Sequence, residues 1–155
     1  MAQTDLDLST TALKKDLDAA QRSLGVTVRT AEEQTASPGG RVSTGRVHHV
    51  TLASATSVRA RFVRQGWAEL AKKMFVKEVE VGEKSFDDAV YIATDTQDAV
   101  RTLLGHPRVR EALMALVSKD CIVDVKEREL VVAHPDAHGR SDDEVAEALA
   151  IAAHL

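Results

Sequence analysis

Apolar positions recur at helical spacing near the start of the chain. Leu13, Leu17, Ala20 and Leu24 lie four, three and four residues apart, which places them in one stripe on an α-helix. Ser9 or Thr10 can cap that helix with a hydroxyl. Gly25 ends it, because glycine takes the left-handed conformation without steric cost. The pattern predicts a helix over residues 9–24 and a short strand over 26–30. Periodicity then fades through residues 31–45 (AEEQTASPGGRVSTG), and Pro38-Gly39-Gly40 cannot continue regular structure, so this stretch is expected to be a loop or linker.

From residue 47 the period changes to two. Residues 47–53 carry β-branched Val47, Val50 and Thr51. Residues 56–64 alternate, with Val58, Ala60 and Phe62 on one face and Ser57, Arg59 and Arg61 on the other. Ser54-Ala55 lies between the two runs, which predicts a hairpin. Trp67, Leu70, Ala71 and Met74 return to helical spacing, with Lys72 and Lys73 on the polar side. Residues 76–81 and 86–94 read as a second strand pair turning at Gly82. A helix ending at Gly105 and another beginning at Pro107 come next, since proline at a first helical position loses no hydrogen bond. Residues 121–125 and 129–133 read as a third hairpin. The last helix starts at Ser141, where Ser141 and Glu144 have capping-box spacing. Its buried stripe is Val145, Ala148, Leu149, Ala152 and Leu155.

Consecutive hairpins and amphipathic helices define an α+β class, with antiparallel hairpins, helices packed on one face, and an N-terminal helical arm. The expected layout is an arm over 1–30, a flexible loop over 31–45 and a body over 46–155, together one domain. Aromatic residues are only 3% of the chain, so Ala, Val and Leu must build the core. Cys121 is the single cysteine, which rules out a disulfide within the chain and fits a reducing, cytoplasmic compartment. No signal peptide is expected at the N-terminus and no membrane span in the chain.

Charge is uneven. Residues 41–77 hold eight basic residues against Glu69 alone, a net +7, whereas residues 78–155 hold eight against seventeen acids, a net −9. Either the two thirds pair within one fold, or the basic stretch meets an anionic partner. Arg59, Arg61, Lys72 and Lys73 are the candidates for phosphate contact, although no aromatic for base stacking accompanies them.

Other motifs dissolve on inspection. Gly40 to Val47 resembles a phosphate-binding loop, but Arg46 replaces the lysine and Val47 the magnesium-holding hydroxyl. His134, Asp136 and His138 carry metal-ligand chemistry, yet Pro135 and Gly139 leave their geometry unfixed. No metal and no cofactor is assigned; these three residues are the ones a metal would use. His48 and His49 point to opposite strand faces and cannot readily chelate one ion. Of Asp87-Asp88, one is expected to bond turn N–H groups. Cys121 opens an apolar strand and reads as a buried, inert thiol. No catalytic residue is assigned.

The run from Glu80 to Asp95, with Gly82, Phe86 and Asp87, followed by Arg101-Thr102-Leu103-Leu104, resembles a pattern in uncharacterised bacterial domains. There a Gly-acid turn leads to Phe-Asp, a strand and an Arg-x-Leu-Leu helix. The resemblance spans about residues 60–133 and implies a fold without lending a catalytic residue. Those domains are often membrane-attached, which this chain is not expected to be. The reading that results is a non-catalytic interaction or assembly module, joining a protein partner or a second copy through Leu13, Leu17, Leu24 and the basic side chains. A small enzyme with an unrecognised site, or anionic-ligand or nucleic-acid binding through 41–77, is the alternative.

Overall fold

In the computed structural model, residues 16–72, 77–135 and 141–155 are described. The helix α1 occupies residues 16–24 of these, and Gly25, at φ 69°, stops it as expected. Leu17 is buried in the main core, with Ala20 and Leu24 packed against it. The stripe read as a docking surface therefore faces this chain's own body at Leu17 and Leu24, while Leu13 lies outside the described residues.

Residues 31–45 are not a loop. Strands β1 (Thr27–Ser37) and β2 (Arg41–Thr51) form one long hairpin of eleven antiparallel pairs, from Thr27↔Thr51 to Ser37↔Arg41. The turn is Pro38–Gly40, where Gly39 and Gly40 take φ values of 82° and 76°. Two successive left-handed residues reverse the chain, a conformation that glycine adopts without a Cβ clash. Over residues 31–45 the ladder of backbone hydrogen bonds, rather than side-chain burial, makes the strands, which is why that polar stretch concealed them.

The remaining strands are β3 (Ala60–Arg64), β4 (Lys77–Glu78), β5 (Val90–Thr94), β6 (Ile122–Lys126) and β7 (Glu129–His134). They join β1 and β2 in one antiparallel sheet of order β1-β2-β7-β6-β3-β5-β4. The hairpin predicted between residues 47–53 and 56–64 does not form: β2 lies between β1 and β7, and β3 between β6 and β5. Residues 52–59 instead cross to the far half of the sheet. Phe86 is also not in a strand; it sits in α3 (Lys84–Ala89), and β5 begins only at Val90. The hairpin of β6 and β7 is as predicted.

Helices α3, α4 (Gln97–Leu104), α5 (Pro107–Ser118) and α6 (Ser141–Ala152) cover one sheet face together with α1. Phe62, Phe86, Ile92, Leu104, Leu113, Leu116 and Leu130 are fully buried between them. The other face is partly covered too. The short helix α2 (Glu69–Lys72) and the turn before it lay Trp67, Ala68, Leu70 and Ala71 on Val63, Tyr91, Ala93 and Ile122. Burial on both faces explains the unbroken buried run of β5. Lys73 and Met74 lie outside the described residues.

Candidate functional site

On β2, residues Arg46, His48 and Val50 share one face, and that face looks into the main core. Val50 packs there. His48 is fully buried, and Arg46 is 18% exposed at its side chain. From β7, Leu130, Val132 and His134 point the same way, with His134 also buried. Above them lies the first turn of α6, where Glu144 is completely buried. The four polar side chains meet. Glu144 Oε1 accepts from Arg46 Nε at 3.0 Å and from His48 Nε2 at 2.7 Å; Oε2 accepts from Arg46 Nη2 at 2.7 Å and from His134 Nδ1 at 2.7 Å. The other ring nitrogen of His48, Nδ1, lies 2.7 Å from the Thr30 hydroxyl of β1, within hydrogen-bond distance.

Burial alone would push the Glu144 carboxyl upward, but the hydrogen bonds from His48, Arg46 and His134 outweigh it and hold its pKa down at about 2. The same contact raises the Arg46 guanidinium. A buried ion pair is thus completed by two imidazoles that fill the remaining lone pairs, as a buried charge requires. Glu144 is not the partner of a capping box; its carboxylate is spent on β2 and β7. Cys121, just before β6, lies beside this group. It is fully buried, and burial pushes its thiol up to about 12, with the Glu144 charge adding to the effect. The Cys121 sulfur, a His134 ring nitrogen and a Glu144 oxygen all fall within 4.8 Å of one another.

Of the sequence candidates, only His134 belongs to this cluster; Asp136 and His138 lie outside the described residues. Parity could have found the rest. Arg46 and His48 alternate with Val50 on the inward face, and Glu144 shares its helix stripe with Ala148. His49, by contrast, turns to the opposite face and bonds Glu33 at 2.7 Å.

The basic side chains are engaged locally. Arg61 donates to both Asp124 oxygens at 2.6 and 2.8 Å and to the Leu70 carbonyl at 2.8 Å. Arg59 faces Asp95 at 3.4 Å and Arg64 faces Asp120 at 2.7 Å. The basic third thus pairs with the acidic third. Lys72 is exposed, and Lys73 lies outside the described residues. Asp87 accepts from the Val81 and Gly82 N–H groups at 2.8 and 2.9 Å, the turn-bonding role expected of one of the two aspartates. The phosphate-loop look-alike is strand β2, which offers no helix N-terminus to an anion.

No family model and no curated protein matches the chain. Among solved structures, the crystal structure of the mycobacterial trehalose monomycolate transport factor A, TtfA, is similar in fold at a TM-score of 0.52 and 13% identity, over 90% of this chain and 92% of that one. At that identity the likeness describes architecture alone. Among the described residues, no helix is long and apolar enough to cross a membrane.

Proposed function

We propose that this chain is a non-catalytic interaction module that joins a protein partner, or a second copy of itself, by adding a strand to the outer edge of β1. The observation that carries this reading is the position of β1. It is the first strand of the sheet order, eleven residues long, and largely exposed. A long edge strand offers a row of backbone N–H and C=O groups as a pairing template, and strand addition is a general mode of recognition. Arg29, Glu32 and Glu33 along it supply charge for choosing a partner. The buried Glu144 cluster supports a non-catalytic reading, since its carboxylate is closed off from substrate. A protein of this architecture is a trehalose monomycolate transport factor, which favours an accessory role in transport for this chain as well. The single buried thiol fits a cytoplasmic setting.

Adjacent N–H groups of a strand point to opposite sides, so proline at Ala31 or at Glu32 tests the edge. One of the two variants breaks a bond to β2 and loses stability. The other removes only an outward N–H; it should stay folded and lose partner binding or self-association, read by sedimentation and by crosslinking in cells. A folded edge variant that keeps the wild-type assembly state and crosslinks would refute the reading.

A further inference from the structure

Thiol, imidazole and carboxylate converge from three separate elements beside the main core. Cys121 comes from the turn before β6, His134 from the end of β7 and Glu144 from the first turn of α6, and all three are buried. A tetrahedral zinc ion holds sulfur at about 2.3 Å and nitrogen or oxygen at about 2.0–2.2 Å, which sets its ligand atoms roughly 3.3–3.8 Å apart. The ligand atoms here all lie within 4.8 Å of one another, and His134 Nδ1 and Glu144 Oε2 stand closer, at 2.7 Å. Adjustments of about an ångström would admit an ion. We propose that Cys121, His134 and Glu144 form a binding site for a thiophilic divalent metal, zinc above all.

The chemistry of the donors favours this metal class. Thiolate with imidazole selects zinc over magnesium or calcium, which prefer oxygen alone. Thiolate and carboxylate bring two negative charges to a divalent ion, against the single positive charge of Arg46, and His134 adds a nitrogen donor. The surroundings orient the carboxylate. Arg46 Nε and His48 Nε2 hold Oε1, and Thr30 in turn fixes the His48 ring. Supports of that kind are what metal-ligating side chains require to keep one geometry. On binding, the Cys121 thiol gives its proton to solvent and its sulfur bonds the metal. The metal takes the place of the hydrogen that His134 Nδ1 shares with Glu144 Oε2 in the metal-free fold; the bound imidazole carries its hydrogen on Nε2, and Nδ1 donates its lone pair. No electron transfer is involved.

The fourth ligand position falls to a water, since Arg46 and His48 hold the second carboxylate oxygen. This site is independent of the β1 edge, so either proposal can fail without the other.

The test uses the full chain, reduced and without an affinity tag, titrated with cobalt(II) and then zinc(II). We expect one equivalent of cobalt to give a near-ultraviolet thiolate-to-metal charge-transfer band with visible tetrahedral bands, displaced by zinc. Cys121→Ser should abolish the charge-transfer band and weaken zinc binding at least ~100-fold, more than loss of a supporting group costs. His134→Gln should weaken it comparably, and His138→Ala should leave it unchanged. Wild-type protein that stays folded by circular dichroism yet takes up no cobalt would overturn the proposal without recourse to any variant. So would binding that survives Cys121→Ser but disappears in His138→Ala, which would place the metal at His138 instead.

Discussion

Replacing Glu144 with alanine deletes the one anion on which Arg46, His48 and His134 converge. The carboxylate accepts four hydrogen bonds, all between 2.7 and 3.0 Å, from groups on β2 and β7. Its loss strands a half-buried guanidinium and two buried imidazoles. Breaking a buried ion pair from one side costs about 3–5 kcal/mol, a large share of the ~5–15 kcal/mol that holds a domain folded. The acid limb gives a second magnitude. The carboxyl pKa falls from 4.5 in the unfolded chain to about 2 in the fold. At 1.36 kcal/mol per unit this is ~3 kcal/mol of stability. A depressed carboxylate contributes above its unfolded pKa, so this stability is present at neutral pH and is lost as the pH falls from about 4.5 toward 2. Urea unfolding of wild type, Glu144→Ala and Glu144→Gln, in metal-free buffer between pH 2 and 7, measures both quantities. The glutamine variant should be weaker at pH 7, because its amide turns a donor toward donors, and its stability should vary less below pH 4.5. A double-mutant cycle with Arg46→Met should show strong coupling, since removing both charges relieves the stranded cation. A loss below about 1 kcal/mol, or an unchanged acid limb, would refute this account of the cluster.

Two further predictions concern packing. Gly45→Ala should cost about 1–3 kcal/mol in urea unfolding, because the new Cβ would stand 2.5 Å from the His134 carbonyl oxygen and 2.9 Å from the Pro135 Cα; Gly66→Ala, with nothing within 4 Å, should be near neutral. Deleting residues 1–24 should lower the thermal midpoint by roughly 5–10 °C, because Leu17 and Leu24 belong to the core contacts; an unchanged midpoint would return that helix to the role of a free docking arm.

Elements built on side-chain burial were legible in the sequence. The inward alternation of Val58, Ala60 and Phe62 appears as predicted, with exposures of 4%, 1% and 0%, and α5, α6 and the β6–β7 hairpin form near their expected places. Elements built on backbone bonding or on tertiary pairing were not. The short strand read over residues 26–30 is the start of β1, but residues 31–37 have little to bury, and only their ladder with β2 reveals them as strand. Phe86 fits a strand or a helix equally well by hydrophobicity, and the six-residue α3 is too short to show a helical period. The Ser141–Glu144 spacing satisfied a local rule, but burial of Glu144 under β2 and β7 gave its carboxylate stronger partners. Each half of the cluster carried a parity signal, and neither half could name the other across a separation of 96 residues.

That same separation bears on how the molecule is made. β1 and β2 leave the ribosome early and can zip into a hairpin at once, because their contacts are local. Their neighbour β7 and their counter-charge on α6 arrive much later. At about 5–20 residues per second, the 96 residues between His48 and Glu144 take roughly 5–20 s to synthesise. Through that interval Val47 and Val50, both destined for burial, are exposed on a ribbon with two open edges. Arg29 and Glu32, both exposed, are charges of the kind that keep an open ribbon from pairing unselectively with other nascent chains. The arrangement predicts that neutralising these two lowers the yield of soluble protein during synthesis more than it lowers the stability of the finished fold.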